Sequence, residues 1–377
     1  MKSLAKVLPR TAAIVLCAAI SVFFAGCKHS GGRVLEIAYV SGVQVNLRDR
    51  VAAVYEKVGL VKNGDRVEVL DHDRRFVKVR TATGQMGWME QRYLVSQQVY
   101  DQLQKLTADN ANDPVQAMGV TRNDTNLHVE PGRETEHLYQ ISSGEKLAIL
   151  KRGTADKSGG PRTVTSAQKP ATKANDKASA KASEKSNEKP AQRNEAAGAT
   201  STRPAGPPPV IEDWWLVRDT HGRVGWVLAR MVDLDVPLDV AQYAEGQRIV
   251  AFFMLNEVQD ADKTVPQYLM VLTEPKDGMP FDFNQFRVFT WNVKRHRYET
   301  AYRERFEGVL PVTVSREDFG KEGLLPVFVV RVLDENGKVS EKKYKLNTPI
   351  VRRVLAPGEE PVRAAKRSTR TARKHKR

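Results

Sequence analysis

The sequence predicts a mainly β protein with two related β modules followed by a third β domain, and two observations support this prediction. A five-residue box with the spacing Gly-x-x-Gly-Trp occurs twice, at residues 84–88 and 222–226. Such an internal repeat indicates two copies of one structural unit. In residues 238–355, apolar and polar side chains alternate over six short stretches, as they do in antiparallel strands.

The repeat extends beyond the two boxes. Upstream of them, matching residues such as Asn46 and Asn126 lie 80 positions apart. Around the boxes the offset is 138, as between Val79 and Val217. The two offsets differ by 58 residues, which places an insertion of that size inside the second module.

Each box predicts a tight hairpin. Its first glycine, Gly84 or Gly222, stands where the turn needs a positive φ, which glycine adopts without a steric penalty. The Gly-Trp pair that follows lets a large ring lie across the sheet. We therefore expect Trp88 and Trp226 to be mainly core residues, with ligand contact as the alternative.

The order of these motifs resembles the bacterial SH3 (Src-homology-3-like) domain. The first module carries the family's Asn-Leu-Arg strand at residues 46–48, its Gly-Asp-x-Val-x-Val-Leu strand at residues 64–70, and its Gly-Trp pair at residues 87–88. The second module departs from this pattern at His128 and Glu145, and by its insertion.

The resemblance implies two small SH3-like β-barrels in tandem, at residues 34–96 and 115–236. It also implies a function, because such modules recognise short cell-wall peptides in grooves bordered by the long loop after the first strand. The corresponding loops are residues 49–63 and 129–143. The candidate ligand contacts are the rings of these loops and of the two boxes: Tyr55, His137, Tyr139, Trp88 and Trp226. Loop rings that simply pack on their own sheet are an equal alternative.

Residues 1–26 predict an export signal, because a basic start precedes sixteen apolar or small residues, too few to span a bilayer comfortably. The segment ends in Phe24-Ala25-Gly26-Cys27, which resembles a bacterial lipobox with phenylalanine in place of the usual leucine. The resemblance implies lipid on Cys27 and therefore a membrane anchor. By the same resemblance, Lys28 favours the periplasmic face of the outer membrane over the inner membrane. An ordinary secretory signal or membrane anchor is the alternative.

Cysteine and histidine usage narrows the chemistry. The only cysteines are Cys17 and Cys27, so the predicted mature chain has no disulfide, no thiol nucleophile and no cysteine metal site. This excludes papain-like cell-wall peptidases and L,D-transpeptidases, which need a catalytic cysteine. No two of the seven histidines have metal-ligand spacing, and no nucleotide-binding fingerprint is present. We therefore expect no cofactor, no metal and no enzymatic activity.

The remaining segments complete the predicted domain order. Residues 97–112 form a linker helix, which Ser96 can cap. Residues 151–213 are a disordered insertion, because they contain too few large apolar side chains to offset chain entropy. Residues 238–356 form a C-terminal antiparallel β domain of no recognised family, and residues 357–377 form a disordered basic tail.

Aromatic side chains of the C-terminal domain form a band that is either a β core with a few exposed rings or a stacking surface for glycan or peptide. The members of this band are Phe281, Phe283, Phe286, Phe289, Trp291, Tyr298 and Tyr302.

The net charge of +15 lies mostly in the signal, the insertion and the tail, so the folded parts are nearly neutral. This distribution argues against nucleic-acid binding. The basic segments suit contact with anionic lipid headgroups or acidic wall polymers, or they serve only solubility.

These observations predict a non-catalytic envelope lipoprotein whose tandem modules bind cell-wall peptide (peptidoglycan) or a periplasmic protein partner. One alternative is a structural or assembly scaffold lipoprotein without wall binding. A less favoured alternative is a cell-envelope enzyme whose activity lies in the C-terminal β domain.

Overall fold

A computed structural model describes residues 33–157 and 209–355 of the chain. These residues form three antiparallel sheets of seven strands each, which confirms the prediction of a mainly β protein. The predicted signal, Cys27, the centre of the predicted insertion and the predicted basic tail lie outside the described residues. None of the helices described is both long and apolar enough to cross a membrane. The chain divides into two compact units, Met1–Leu94 and Val95–Arg377.

The first sheet has the strand order β3-β2-β6-β5-β4-β1-β7. Its strands are β1 (Glu36–Val40), β2 (Gln44–Arg48), β3 (Lys57–Lys62), β4 (Arg66–Asp73), β5 (Phe76–Thr81), β6 (Met86–Glu90) and, after a 3-10 turn at Gln91–Tyr93, β7 (Leu94–Ser96). Alternate residues face the core, so Val67 and Val69 of β4 are fully buried. Gly84 has a φ of +82° in the β5–β6 turn, as the box predicts.

A helix, α1 (Gln97–Asp109), follows the first sheet and confirms the helix predicted there. It packs against the second sheet, where Leu106 contacts a buried cluster that includes Leu150 and Val224. The main-chain N–H of Val224 donates to the Thr107 hydroxyl over 3.1 Å. Ser96 stands at the predicted N-cap position, but its side chain makes no capping hydrogen bond.

The second sheet repeats the order of the first, as β10-β9-β13-β12-β11-β8-β14. Its strands are β8 (Ala117–Thr121), β9 (Thr125–His128), β10 (His137–Ile141), β11 (Lys146–Asp156), β12 (Ile211–Arg218), β13 (Val224–Leu228) and, after a 3-10 turn at Ala229–Met231, β14 (Val232–Leu234). Each strand corresponds to the one seven positions earlier in chain order. Gly222 again has a positive φ, of +79°, in the turn between β12 and β13.

The edges of the predicted insertion are wrong. Both β11 and β12 continue into residues 151–213, and their ladder runs as far as the pair Asp156 and Ile211. Within this extension Ala155 and Asp213 are buried. The sequence misled because these residues are mostly polar. Their strands are held by cross-strand hydrogen bonds and by buried ion pairs, which composition does not reveal.

The third sheet is a meander in which every strand pairs with its neighbours in sequence. After α2 (Leu238–Ala241) and a 3-10 turn at Gln242–Ala244, its strands are β15 (Arg248–Asp260), β16 (Lys263–Thr273), β17 (Phe283–Asn292), β18 (Arg297–Asp318), β19 (Leu324–Leu333), β20 (Val339–Asn347) and β21 (Ile350–Val354). A further 3-10 turn lies at Gly320–Glu322. The six predicted stretches fall on β15 to β20. The sequence missed β21 and the second half of β18, which leaves β17 near Gly308 and pairs with β19.

The aromatic band of this sheet is largely core. Five of its seven rings are less than 10% exposed, namely Phe281, Phe283, Phe286, Phe289 and Tyr298. Trp291 and Tyr302 are half-buried. The alternative of a core with a few exposed rings therefore describes the band better than an open stacking surface.

A buried ionic network joins the second and third sheets within the second unit. Arg152 of β11 and Asp213 of β12 have side chains that are only 5% and 3% exposed, and they are joined over 2.7 Å. Arg152 also donates to the carbonyl of Phe281 and to Asp282, while Asp213 accepts from Arg248 of β15. Burial alone disfavours charge on Arg152, but the two carboxylates outweigh it and raise the pKa of Arg152. Arg152 therefore keeps its charge, whereas burial raises the pKa of Asp282 above its ordinary value.

A second buried contact joins the same two sheets. Gln116, which is fully buried, precedes β8. Its side-chain oxygen accepts from the main-chain N–H of Val312 over 2.8 Å, and its side-chain nitrogen donates to the carbonyl of the same residue. The main-chain oxygen of Gln116 accepts from Phe252 of β15. Because buried polar groups need hydrogen-bond partners, these bonds hold the start of β8 against β15 and β18.

We predict that Arg152→Ala destabilises the second unit by about 3–5 kcal/mol, because it leaves Asp213 buried without its main partner. Lys151→Ala is the matched control. Lys151 is the adjacent residue; its ion pair to Asp113 is 45% exposed on the lysine side, and it also donates to the Asn110 side chain, so its loss costs about 1–2 kcal/mol. Urea unfolding followed by tryptophan fluorescence measures both. Equal losses in the two variants would contradict a dominant role for the buried network.

Candidate functional site

In the first module, the strands and loop predicted to border the ligand groove place a cation beside two aromatic rings. Arg48 ends β2, and its cross-strand partner on β6 is Trp88. The guanidinium carbon of Arg48 lies 4.1 Å from the ring centre of Tyr55 and 5.0 Å from that of Phe76. These distances allow cation–π attraction, worth about 0.5–1 kcal/mol at exposed sites. Arg48, Tyr55, Phe76 and Trp88 are termed the first cluster below.

The loop that carries Tyr55 is closed at its base. The main-chain N–H of Asp49 donates to the carbonyl of Glu56, and the N–H of Glu56 donates to the Asp49 carboxylate over 2.8 Å. This hydrogen bond and the neighbouring Arg50 lower the pKa of Asp49 below its ordinary value. The closed base holds Tyr55 over Arg48 while its ring stays 38% exposed and the adjacent Val54 stays 86% exposed. The loop therefore presents apolar surface beside a cation.

The charge of Arg48 is only loosely neutralised within the module. Its nearest carboxylate oxygen, on Glu90, lies 3.6 Å away, which is longer than a hydrogen bond. The same Glu90 is paired more closely, at 2.9 Å, with Arg92. Since the Arg48 side chain is 23% exposed, a ligand carboxylate can approach it and gain charge-assisted hydrogen bonds.

The equivalent position in the second module is occupied by His128, which ends β9 and pairs across the strands with Trp226. Its ring centre lies 5.2 Å from that of Trp214, the counterpart of Phe76, and 5.0 Å from that of His137. Its Nδ1 atom lies within hydrogen-bond distance of both the carbonyl and the hydroxyl of Thr135. Burial, followed by the charge of His137, lowers the pKa of His128 to about 4. At neutral pH this position therefore carries no charge.

The corresponding loop of the second module makes more hydrogen bonds and ion pairs than the loop that carries Tyr55. Arg133 forms a two-pronged ion pair with Glu212 of β12, with both N–O distances at 2.7 Å. The Glu212 side chain is only 8% exposed, and the hydrogen bond from Arg133 lowers its pKa. The Thr135 hydroxyl lies within hydrogen-bond distance of the carbonyl oxygens of Glu130 and Gly132. This loop is therefore held by its own sheet and by internal bonds.

The five candidate ligand contacts differ in their exposure to solvent. Tyr139 lies in β10, not in a loop as the sequence suggested, and is 9% exposed beneath the guanidinium of Arg223. His137 opens the same strand and is half-buried against His128. Tyr139 therefore follows the alternative in which rings pack on their own sheet, and Tyr55 is the exposed loop ring.

Both box tryptophans are half-buried. Trp226 packs against a buried cluster that includes Leu150 and Leu216. Its ring also lies over Gly153, where an added Cβ would come within 2.6 Å of the ring. The glycine is needed at this point for close approach. Trp226 thus serves the core on one side and leaves part of its ring at the surface, and Trp88 occupies the equivalent position beside Arg48.

A scan against protein-family models finds one match in this region. Residues 42–95 match the bacterial SH3 domain. The resemblance drawn from the motifs is thereby confirmed for the first module, and the first cluster lies within the matched SH3 domain. No curated protein matches the sequence.

Several solved structures are similar over much of the chain, at low identity. An NlpC/P60 family protein from Bacillus cereus is 11% identical, with 83% of this chain and 95% of that chain covered and a TM-score of 0.21. NlpC2 from Trichomonas vaginalis is 9% identical, with coverages of 85% and 95% and a TM-score of 0.16. NlpC1 from the same organism is 9% identical, with coverages of 72% and 89% and a TM-score of 0.16. These scores are too low to support a shared fold or activity.

A cluster of potential metal ligands lies at the turn of the second module, apart from the groove. One ligand atom each from Glu145, Asp219 and His221 lies within 4.8 Å of the others. However, one oxygen of Asp219 accepts from the main-chain N–H groups of His221 and Arg223, and the other is held by the Arg223 guanidinium at 2.6 Å. Asp219 is thus fully engaged in shaping the turn, and the cluster is assigned to that role.

The described residues of the second unit border two cavities of notable size. One, of about 490 Å³, is bordered by Trp215, Arg230 and Arg248. The other, of about 580 Å³, is bordered by Trp291 and His296, which both reach the Asp260 carboxylate over 2.7 Å. The lining of the second cavity contains no serine, threonine or cysteine that could act as a nucleophile.

Sequence reasoning missed the cation of the first cluster. It named Tyr55 and Trp88 but treated Arg48 only as part of a motif. The sequence does contain an indication of this residue, because Arg48 is the charged end of the Asn-Leu-Arg strand. That strand end pairs with the box tryptophan, Trp88. Phe76 and Trp214 were also available as equivalent residues at the offset of 138. The pair of Arg133 and Glu212 could not be found, because the two residues are far apart in sequence.

We predict that the second unit loses stability as pH falls from 6.5 towards 4, partly through His128. The folded state binds this proton only near pH 4 and the unfolded state near pH 6.5, so acid favours unfolding by up to about 3 kcal/mol. His128→Gln should therefore lose about 2 kcal/mol less than the wild type between pH 7 and pH 4.5. Urea unfolding at both pH values measures the difference, with His72→Gln as the control. An unchanged acid sensitivity of His128→Gln would contradict this assignment.

Proposed function

We propose that the protein is a non-catalytic component of the bacterial cell envelope that binds cell-wall peptide through its first module. The match of residues 42–95 to the bacterial SH3 domain is the observation that carries this proposal. The first cluster supports it, because Arg48 offers a cation to a peptide carboxylate while Tyr55 and Trp88 offer partly exposed rings to the peptide chain. A role without thiol catalysis is favoured because the only cysteines, Cys17 and Cys27, lie in the predicted signal and at the predicted lipidation site.

The second module is proposed to be an SH3-type module that contributes structure more than affinity. Its sheet has the same strand order as the first, which supports a common origin of the two. At the position equivalent to Arg48 it has His128, which is neutral at pH 7. Its loop at residues 129–143 is fixed by the Arg133–Glu212 ion pair. If it also binds the wall, linkage of the two modules would strengthen retention on a repeating polymer. If it does not, it serves as the scaffold that supports the third sheet.

We predict that Arg48→Gln weakens retention on purified peptidoglycan by about tenfold, because about 1.4 kcal/mol of cation–π and charge-assisted bonding is lost. Arg92→Gln is a matched control. Arg92 also lies over a tyrosine ring, at 4.7 Å from Tyr93, and it pairs with the same Glu90, but it is outside the first cluster. Co-sedimentation of the full chain with peptidoglycan at two salt concentrations provides the measurement.

Two results of this experiment would reject the proposal. If the wild-type chain does not sediment with peptidoglycan at either salt concentration, the protein is better described as a scaffold without wall binding. If Arg48→Gln and Arg92→Gln weaken sedimentation equally, the interaction reflects surface charge and not the first cluster.

Attachment to a membrane through lipid on Cys27 is also part of the proposal, and it is motivated by the lipobox-like residues 24–27. Cys27→Ser should abolish acylation and move the protein from the membrane fraction to the soluble fraction. Metabolic labelling with a fatty acid, followed by fractionation, tests this. Continued labelling of the Cys27→Ser chain would show that the lipid is attached elsewhere or that the segment is an ordinary signal.

A further inference from the structure

The third sheet contains an unusual pairing of like charges. Arg287 of β17 and Arg303 of β18 are direct cross-strand partners, and the next pair on the same face is Gln285 with Arg305. Like charges directly opposite one another on a sheet are destabilising. Neither Arg303 nor Arg305 forms an ion pair with any residue in the described parts of the chain, although both side chains are exposed. The arrangement therefore carries an electrostatic cost between these two strands.

One carboxylate partly compensates this cluster. Glu245 directly follows the 3-10 turn at Gln242–Ala244. Its carboxylate accepts a hydrogen bond from Arg287 over 3.0 Å, and its side chain is 62% exposed. Its backbone has a φ of +53°, a conformation that non-glycine residues rarely adopt. The hydrogen bond from Arg287 and the charges of Arg303 and Arg305 lower the pKa of Glu245. Three arginines and this single glutamate leave a local charge of about +2.

The cluster also contains buried donors that have no partner. Arg287 is 3% exposed and Gln285 is 1% exposed. The Nε atom of Arg287 and the Nε2 atom of Gln285 make no hydrogen bond. The Gln285 amide adjoins the arginines directly, because its oxygen accepts from the Nε atom of Arg305 over 2.9 Å. Unpaired buried donors are costly, so their presence beside the exposed side chains of Arg303 and Arg305 indicates a site prepared for an acceptor.

From these features we propose that Arg287, Arg303, Arg305 and Gln285 form a site for a phosphate group. A phosphate ester carries about −1.5 to −2 charges and three acceptor oxygens, which matches both the local charge and the donors. The forked guanidinium groups suit its oxygens in two-pronged hydrogen bonds. A ligand with a single carboxylate carries only one negative charge and would leave the cluster with a net positive charge. The phosphate belongs either to a soluble ester or to a lipid headgroup, and the site lies outside the SH3-type modules.

The test is isothermal titration of the full chain with inorganic phosphate, against chloride at equal ionic strength. The double variant Arg303→Gln, Arg305→Gln should weaken phosphate binding at least tenfold. The control is Arg295→Gln, Arg297→Gln, which removes the same charge from the same sheet at two exposed arginines that pair with Glu299. The control should bind phosphate within twofold of the wild type. The cluster variant should also unfold at the same temperature as the wild type or higher, because it relieves repulsion.

A second arm identifies the source of the phosphate. The full chain with Cys27→Ser, which removes the proposed lipid anchor, is floated with phosphatidylcholine vesicles with and without phosphatidic acid. Flotation that requires phosphatidic acid and both cluster arginines assigns a lipid headgroup, whereas phosphate binding without flotation assigns a soluble ester. Phosphate binding no stronger than chloride binding would overturn the proposal. Equal losses in the cluster and control variants would overturn it as well.

Discussion

The second unit depends on the pairing of two buried charges, Arg152 and Asp213. Removing such charges from water is expensive, so they are tolerated only where several partners surround each of them. Here the partners come from two different sheets, since Asp213 also binds Arg248 and Arg152 also binds carbonyl oxygens before β17. The network can be complete only when the second and third sheets are together. The second module is therefore one half of a larger folded unit, whereas the first sheet forms a unit with its own core.

The same sheet order supports different chemistry in the two modules. At one equivalent position the first module has Arg48, a cation shared among rings, and the second has His128, a neutral ring shielded from water. The change alters neither the strand order nor the tryptophan opposite. It does alter the local electrostatics, because the first module carries a positive charge at this position and the second carries none at neutral pH. Two sheets with one strand order therefore carry different side chains at this position.

Local patterns were predicted well from the sequence, and contacts between distant residues were not. The glycines of the boxes, the helix after the first sheet and six strands of the third sheet follow from periodicity and turn chemistry, which act over a few residues. The outer parts of β11 and β12 were missed because partners some sixty residues away hold them. The arginine pair at Arg287 and Arg303 was missed for the same reason, since only the register of β17 and β18 brings the two together. Tyr139 was misplaced because the loop before it is shorter than the motif suggested.

The ladder between β11 and β12 has a consequence for how this protein can change. It ends with Asp156 opposite Ile211, and Lys157 still donates to the carbonyl of Val210. The described residues on the two sides of the undescribed segment therefore lie next to each other at the end of the ladder. Because the closure penalty of a long connection grows only with the logarithm of its length, the number of residues between these positions is nearly uncoupled from the stability of the sheet. Homologues could connect the same two strand ends by a short hairpin turn, or by an entire inserted domain, and still inherit the same β architecture.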